Sequence, residues 1–392
     1  MRDRRNRFKT ARLARPNWHS LRLLLGAPIF PLSLIDLQIL LSYARKPLNL
    51  PAGGIEDYTV LIPLYNSPRY FKNKIFTDTI KDRTILCVST SNAEMERFAG
   101  EMEQGGYSVI RIKENPESPW QVLRLALNPQ LILLQEGLPL VSTRYLVFLD
   151  GDTVPQQDLG RACAAIDGAG YDLASVNVVP SSTDSSMAKL QGIEYYLAMR
   201  TRNFRPWLTS GACIVGRTET MRLVMDNHTT FFYGGDIEIG RQGKTVGRVC
   251  HLNFTVSTEV PSSFAGWFRQ RIGWWAGAFR LGIVNFDKNL SSPLWLLYGS
   301  VIIWGLLALR WFDSIRYWYI LGLLFALYWP LNLAVGWRFR SRWLLVYPLY
   351  AFFQSLVLPP FGLVRYVRHA WKTKNAGRLR HMPHRDRTVV RP

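Results

Sequence analysis

The chain has 392 residues, of which 48 are Lys or Arg and 28 are Asp or Glu, so its formal net charge is +20. Hydrophobic residues make up 48% of the sequence and charged residues only 19%, a balance that excludes a disordered chain. Several apolar runs of near membrane-spanning length argue against a soluble two-domain enzyme. Four widely spaced cysteines form no CxxC pair and indicate neither a disulfide framework nor a zinc site.

The positive charge is concentrated at the two ends of the chain. Residues 1–22 carry a net charge of +7, and residues 365–392 carry +8. A nucleic-acid-binding protein would be expected to carry such charge on a folded face, whereas basic tails beside apolar runs fit attraction to anionic headgroups. We therefore expect membrane lipids, and no nucleic acid, among the partners.

The first apolar segment, residues 23–41, follows the basic N-terminal tail. It contains Pro28, Pro31 and Asp36, which predict a kinked or re-entrant helix. Because it has no small-residue cleavage site, we interpret it as a retained anchor rather than a signal peptide. The tail and the anchor together form the predicted N-terminal region, residues 1–50.

Residues 51–260 alternate short apolar runs with amphipathic stretches. The apolar runs are rich in β-branched and aromatic residues and predict buried parallel strands at 59–62, 84–88, 108–112 and 145–149. Helical intervals separate them. This order predicts a doubly wound α/β domain whose ligand lies at the carboxyl ends of the strands.

Two carboxylates follow the strand at 145–149 directly, in the sequence Asp150-Gly-Asp152. Carboxylates at this spacing can reach one divalent cation, and Gly151 allows the tight turn that brings phosphate close. An Asp-rich turn without a ligand is the alternative.

The C-terminal part is predicted to associate with the membrane. Residues 261–290 mix Trp, Phe and Arg and predict an interfacial amphipathic helix, with a purely structural anchor helix as the alternative. Residues 291–364 contain three predicted transmembrane helices, at 293–309, 317–337 and 343–364, the last interrupted by Pro359 and Pro360. A basic tail, residues 365–392, follows.

Five motifs stand in the order in which they occur in the membrane-bound family 2 glycosyltransferases, which the chain resembles over residues 57–280. They lie at 57–66 (DYTVLIPLYN), 150–152 (DGD), 209–213 (TSGAC), 234–238 (GGDIE) and 258–274, which ends in QRIGW. This family comprises inverting enzymes of the Rossmann-like GT-A fold and includes cellulose, chitin and hyaluronan synthases.

The resemblance implies a role for each motif. Asp150 and Asp152 would hold Mg²⁺ or Mn²⁺, which stabilises the leaving diphosphate, and they would bind the donor together with Pro63, Tyr65 and Asn66. Asp236, flanked by glycines, would be the base that deprotonates the acceptor, a role compatible with a helix N-cap at the same residue. The acceptor side would be formed by Ser210, Gly211, Gln270 and Trp274.

Three positions depart from the family pattern. Residues 89–92 (STSN) replace acidic residues that hold the uracil, and Gly235 replaces a glutamate. Gly273 replaces the arginine of QxxRW, and we expect it to let the helix pack close to the catalytic domain, while Arg269 or Arg271 takes the phosphate-directed role.

Two further sets of residues have competing interpretations. Gln191, Glu194 and Tyr195 belong either to a helix lining the acceptor side or to a surface helix. His251 is predicted to be structural rather than catalytic.

The sequence thus predicts a multipass protein of the plasma (inner) membrane with a cytoplasmic catalytic domain. The resemblance implies transfer of a sugar from a nucleotide-sugar donor, UDP-linked, with inversion to a growing polysaccharide, coupled to export. The alternative is a non-processive transferase acting on a lipid-linked acceptor. An inactive scaffold or receptor is disfavoured by the retained Asp150, Asp152 and Asp236.

The predicted crossings conflict with the charge of the tails. One N-terminal and three C-terminal crossings would place both basic tails opposite the cytoplasmic domain, against the positive-inside tendency. We therefore expect that residues 23–41 or 343–364 do not cross as a straight helix.

Overall fold

The computed structural model describes residues 45–113, 128–285, 313–339 and 341–382. The predicted anchor at 23–41 and the predicted span at 293–309 lie outside these residues, as does most of the basic N-terminal region.

All four predicted strands form and lie side by side in parallel. Their order in the sheet is β3-β2-β1-β4, with β1 at Tyr58–Leu64, β2 at Thr84–Ser89, β3 at Ser108–Ile112 and β4 at Tyr145–Leu149. Every residue of β1 and β4 is buried, as expected for apolar runs covered on both faces. Parallel pairing brings the carboxyl ends of these strands to one edge of the sheet.

The other half of the sheet is mixed, which differs from a purely parallel doubly wound arrangement. It continues from β4 in the order β7-β6-β8-β5, with β5 at Val154–Pro155, β6 at Leu173–Pro180, β7 at Cys213–Arg217 and β8 at Val249–Thr258. Strand β7 runs antiparallel to both β4 and β6. Because β7 starts where β4 ends, with Cys213 opposite Leu149, the loop before β7 lies beside Asp150.

Seven helices cover the two faces of the sheet within the described residues. They are α1 (Lys74–Asp78), α2 (Ala93–Gln104), α3 (Pro129–Gly137), α4 (Leu159–Gly168), α5 (Ser186–Arg202), α6 (Thr218–Asp226) and α7 (Gly235–Val246). Alternate residues of β1 supply the two cores: Val60 and Ile62 pack on one face and Leu61 on the other. This period of two is what a central strand with both faces covered requires.

Four helices follow the sheet in the part of the chain that the structure describes. They are α8 (Phe264–Phe279), which continues into a π-helical turn at Arg280–Val284, then α9 (Ser314–Gly336), α10 (Tyr347–Leu356) and α11 (Leu358–Thr373). Helix α8 is the predicted helix of residues 261–290, and it lies between the α/β domain and α11.

Two glycines explain how closely α8 is packed. A Cβ atom at Gly277 would lie 3.0 Å from the backbone N of Gly234, and a Cβ at Gly362 of α11 would lie 2.4 Å from the Cβ of Trp275. The expectation that Gly273 allows the close approach is wrong, since a Cβ there would meet only Tyr233 Cε1, at an ordinary 3.9 Å. The backbone contact is made one turn later, at Gly277.

The predicted span at 343–364 is not a single helix. It is divided between a 3₁₀ turn at Arg342–Leu345, α10 and α11, with an interruption at Val357. Pro359 and Pro360 lie in the first turn of α11, where a missing N–H breaks no helical hydrogen bond. Among the described residues one segment, Tyr347–Thr373, is long and apolar enough to cross a membrane by length and composition.

Candidate active site

The turn after β4 is held in place by backbone contacts on both sides. Asp150 N–H donates to the Ala212 carbonyl at 3.1 Å, and Asn73 Nδ2 donates to the carbonyls of Asp150 at 3.1 Å and Thr153 at 2.9 Å. A Cβ at Gly151 would lie 2.8 Å from the Tyr70 carbonyl oxygen. The glycine between the two aspartates is therefore required by close backbone approach.

The carboxylates of Asp150 and Asp152 are partly buried, and neutral groups donate the hydrogen bonds that they accept. Asp150 accepts a hydrogen bond from Gln130 Nε2 at 3.3 Å, and Asp152 accepts one from Thr258 Oγ1 at 3.0 Å. Burial raises the pKa of Asp150 well above its usual range, and the charges of Asp152 and Asp236 raise it further. Burial also raises the pKa of Asp152. A cation at this place would relieve the cost of ionising both groups.

Asp236 lies in the first turn of α7. The N-cap of this helix is Gly234, which has a left-handed φ of 72°, so the N-cap role considered as an alternative for Asp236 belongs to Gly234 instead. The Asp236 side chain instead accepts the backbone N–H of Gly211 at 3.3 Å, and its carbonyl accepts the hydroxyl of Thr209. Burial raises the pKa of Asp236, although backbone N–H groups and the charge of Arg202 oppose this shift.

The loop at 209–212 joins the two predicted sites. Ala212 binds the backbone of Asp150, and Gly211 binds the side chain of Asp236. A Cβ at Gly211 would lie 3.6 Å from Asp150 Oδ2, so this backbone fills the space between the carboxylates. The structure therefore brings together Asp150, Asp152, Ser210, Gly211 and Asp236, which come from three separate motifs.

The predicted donor-binding residues lie at the carboxyl end of β1, next to β4. Pro63 is in the buried strand, and Tyr65 follows it at the edge of the sheet. Burial raises the pKa of Tyr65, and the negative charge of nearby Asp150 raises it further. Asn66 has a left-handed φ of 69°, and its carbonyl accepts Asn92 Nδ2 at 3.2 Å. The first motif and the DGD motif thus share one edge of the sheet.

The predicted acceptor residues of α8 lie against α5. Trp274 is 48% exposed and stacks on Tyr195 with ring centroids 6.3 Å apart and planes at 20°. The guanidinium of Arg271 lies 3.8 Å from the centre of the Trp274 ring, and Gln270 accepts a hydrogen bond from Arg271. Trp274 is therefore half exposed, and its ring is supported by Tyr195 and Arg271.

The two arginines predicted to face phosphate have different surroundings. Arg271 is fully buried, and its Nη2 lies 2.5 Å from Glu194 Oε2. Glu194 also accepts Tyr350 Oη at 2.5 Å and Gln354 Nε2 at 2.9 Å. These contacts assign Arg271 to packing between helices, whereas the Arg269 side chain is exposed.

Helix α5 is not a surface helix, which was one of its two predicted placements. Gln191 is fully buried and donates to the Pro261 carbonyl at 2.8 Å, and Tyr195 is 7% exposed. With Glu194, these residues face α8 and α10 rather than solvent. The helix thus joins the α/β domain to the C-terminal helices.

Several residues around the site carried no motif in the sequence. Asn73 and Gln130 hold the DGD turn and its carboxylate, yet they belong to no quoted pattern. Arg202 is buried at the end of α5, donates to the Val176 carbonyl at 2.8 Å, and supplies the positive charge that acts on Asp236. Thr258 could have been found, since it opens the TEVP part of the last motif.

His251 has the structural role that the sequence favoured. Its Nδ1 hydrogen bonds with Ser175 Oγ at 2.9 Å, and its Nε2 with Asn177 Oδ1 at 3.1 Å. Burial lowers its pKa to about 3, so the ring is neutral. His251, Arg45 and Lys46 line a cavity of about 550 Å³ at the amino end of β8. This cavity is separate from the candidate site, because Asp152 contacts Thr258 at the carboxyl end of β8.

Comparison with known proteins gives a match to a family profile and similarity to solved structures. Residues 145–366, more than half of the chain, match the profile described as Glycosyl transferase family group 2. The structure is similar to that of mannosyltransferase PcManGT from Pyrobaculum calidifontis in complex with GDP-Man and Mn²⁺, with 14% identity, a TM-score of 0.51, and coverage of 89% of this chain and 97% of that one. No curated protein sequence matches the chain.

A second solved structure, S. aureus TarS 1-349, has 14% identity and a TM-score of 0.35 and covers 80% of this chain and 91% of that one. Of these two structures, the mannosyltransferase is similar enough to bear on the fold. It shows that the mixed sheet and its helices form an α/β fold of the GT-A kind.

Proposed function

The chain belongs to the glycosyl transferase family group 2, and we propose that it moves a sugar from a nucleotide-sugar donor to an acceptor hydroxyl. The observation that carries this proposal is the convergence of Asp150, Asp152 and Asp236 around the loop at 209–212. The complex of the structurally similar mannosyltransferase with GDP-Man and Mn²⁺ supports a donor of this class.

A divalent cation, Mg²⁺ or Mn²⁺, fits the surroundings of Asp150 and Asp152. The Asp150 carboxylate lies near two other acidic side chains, and its hydrogen-bond donor is the neutral amide of Gln130. Within the described ranges no group of three or more His, Cys, Asp or Glu side chains could hold a metal alone. Donor phosphate oxygens and water would complete the coordination, and the bound ion would supply charge stabilisation for the leaving diphosphate.

Asp236 would act as the general base. As the acceptor oxygen forms its bond to the anomeric carbon, the bond from that carbon to the diphosphate breaks, and the hydroxyl proton passes to the Asp236 carboxylate. Attack from the side opposite the leaving group inverts the anomeric configuration. The N–H of Gly211 and the charge of Arg202 favour the ionised carboxylate, which must be present before the proton is taken.

The donor side would consist of Pro63, Tyr65 and Asn66 at the end of β1. We propose a UDP-linked sugar as donor, and the GDP-Man complex of the similar mannosyltransferase makes GDP-mannose the second donor to test. On the acceptor side, Ser210, Gly211, Gln270 and the half-exposed face of Trp274 would receive the sugar that is extended.

We place the enzyme at the plasma membrane, with the catalytic domain in the cytoplasm, where it extends a polysaccharide during export. The segment Tyr347–Thr373 and the basic tails support membrane association. A lipid-linked acceptor and a single transfer are the alternative, and the position of Trp274 favours it. Trp274 adjoins Trp275, which packs on α11, so the acceptor residues lie close to the C-terminal helices.

Purified full-length protein would be incubated with UDP-glucose, UDP-N-acetylglucosamine or GDP-mannose, with Mg²⁺ or Mn²⁺, and with a membrane lipid extract. Sizing the product separates the candidates, since a long chain supports the polysaccharide synthase and one sugar on lipid supports the alternative. The Asp236→Asn variant is the control for background hydrolysis. Absence of turnover with every donor, while each still binds, would contradict a transferase.

A further inference from the structure

Helix α11 carries a continuous apolar stripe on its exposed side. The stripe consists of Phe361, Val364, Val367 and Trp371, which are between 50% and 84% exposed. Their spacing of three, three and four residues places them on one face of the helix. Exposed apolar residues scattered singly are ordinary on protein surfaces, but a contiguous stripe on one face indicates an interaction surface.

Positive charge flanks this stripe. Arg368 and Lys372 are exposed on the same helix, and Lys374, Arg378 and Arg380 are exposed just beyond it. The sequence from 358 to 382 contains no acidic residue. An apolar face bordered by cations is complementary to an anionic lipid surface, whose acyl region receives the apolar groups while its headgroups attract the cations.

The opposite side of α11 is fixed to the rest of the protein along its length. Gly362 packs against the backbone at Trp275 and Ala276, and Arg365 Nε donates to Tyr233 Oη at 2.8 Å. Near the end of the helix, Tyr366 Oη donates to the Ala376 carbonyl at 2.7 Å. Helix α11 therefore lies along α8, which is itself packed on the α/β domain.

The chain then returns to the catalytic domain. Arg280 Nε donates to the Gly377 carbonyl at 2.8 Å, and the N–H of Leu379 donates to Asn285 Oδ1 at 2.8 Å. Met382 is buried in the core under the sheet. The points at which the chain leaves the domain, after Asn285, and rejoins it, at Gly377, are thus in direct contact. Both ends of this excursion lie on one side of any membrane it enters.

We propose that α11 is an in-plane anchor, lying in the headgroup region of an anionic bilayer on the side of the catalytic domain, and that it does not cross. This rests on the membrane location in the proposed function. It requires an even number of crossings between Asn285 and Gly377, and it puts the basic C-terminal segment on the same side as the catalytic domain. The conflict between the predicted crossings and the charge of this tail is thereby removed.

The depth of side chains along α11 tests the proposal. All four native cysteines are buried, so a cysteine introduced at Phe361, Val364 or Trp371 can be labelled selectively with a fluorophore. Each labelled full-length protein would be reconstituted into vesicles of phosphatidylcholine and phosphatidylglycerol that carry nitroxide quenchers at different acyl depths. Ile75, which is 87% exposed on α1 of the catalytic domain, supplies the control position.

The expected result is the same shallow depth at all three positions and no quenching at Ile75. The ten steps from Phe361 to Trp371 rise about 15 Å along a helix axis, so a crossing helix would give a steep depth gradient. Such a gradient would overturn the proposal, and so would the absence of quenching at all three positions. Sugar transfer is measured separately, so failure of the proposed enzyme activity would leave these depths unchanged.

Charge reversal tests the anionic part of the proposal. Quenching of the label at Val364 should be weaker in pure phosphatidylcholine than with phosphatidylglycerol present. In an Arg368→Glu/Lys372→Glu background this difference should become smaller, and an unchanged difference would refute a role for these two cations. Equal quenching in both lipids before charge reversal would refute a role for anionic headgroups.

Discussion

Replacement of Glu194 by alanine is expected to weaken the junction between the α/β domain and the C-terminal helices. Glu194 on α5 binds Arg271 of α8 through Nη2 at 2.5 Å and Nε at 3.2 Å. It also accepts hydrogen bonds from Tyr350 and Gln354 of α10. One carboxylate therefore joins three helices, and its removal leaves the buried Arg271 charge without an acidic partner.

The size of the effect follows from the burial of the pair. The Arg271 side chain has no exposed surface, and that of Glu194 is 12% exposed. Removing one partner of a buried ion pair costs about 3–5 kcal/mol of unfolding free energy, because the other charge stays desolvated. The Tyr350 hydroxyl, which donates to Glu194, loses the acceptor for its proton and keeps only the bond it accepts from Trp267 Nε1 at 2.7 Å, so the loss should lie in the upper part of this range. At roughly 2 °C per kcal/mol, the melting temperature should fall by roughly 6–10 °C.

Thermal unfolding of the purified protein in detergent measures this loss, and a surface ion pair supplies the matched control. Lys72 and Glu259 are 2.6 Å apart and both about half exposed, so Glu259→Ala should cost at most about 1 kcal/mol. The double variant Glu194→Leu/Arg271→Met removes both charges and should recover most of the stability. If Glu194→Ala is no more destabilising than Glu259→Ala, or if the double variant is as unstable as the single one, the reasoning is wrong.

Four further outcomes are expected from single substitutions. Asp150→Asn should abolish metal-dependent transfer. At neutral pH it should also raise the melting temperature of metal-free protein, and this gain in stability should disappear as the pH falls through the raised pKa of Asp150. Asp236→Asn should keep donor affinity in a calorimetric titration and lose about 10²–10⁴-fold in turnover; equal loss of donor binding would contradict its role as base. The wild type should lose about 2 kcal/mol of unfolding free energy by pH 5, because the pKa of His251 is lowered to about 3 and only the unfolded chain takes up the proton below pH 6.5. His251→Gln should remove this loss. Gly277→Ala should destabilise the protein by about 1–3 kcal/mol while Gly273→Ala on the same helix stabilises it by up to about 1 kcal/mol, as measured by denaturant unfolding.

The sequence was sufficient for the parallel half of the sheet because each strand there is a short apolar run that must be buried on both faces. Once those strands are parallel, the position of Asp150 at a carboxyl end follows from its place after β4. The same reasoning could not predict β7, whose antiparallel direction depends on a return of the chain after α5. No local pattern in residues 213–217 specifies which neighbours that strand pairs with.

Side-chain partners across long separations were also beyond the sequence. Arg271 was predicted, with Arg269, to take the phosphate-directed role because it lies close in sequence to Gly273, which replaces the arginine of the motif. Its partner, Glu194, is 77 residues away on α5. Gln130 likewise precedes Asp150 by 20 residues, and nothing in the intervening sequence links the two. Such contacts depend on how helices pack on the finished sheet rather than on any spacing.

Two of the three departures from the family pattern are glycines, and they have different physical causes. At Gly235 a Cβ would lie 2.2 Å from Leu131 Cδ1 and 3.4 Å from His228 Cε1, so the glutamate that the family carries would fit only if the buried Leu131 side chain moved. At Gly273 a Cβ would make an ordinary contact, so packing does not require a glycine there. The change at 235 is therefore built into the core beside α3, whereas the change at 273 leaves space on α8 near Tyr233. The backbone at position 273 would accept an arginine if catalysis needed one. The fold therefore does not account for the missing guanidinium, which we attribute to the substrate and how it is bound.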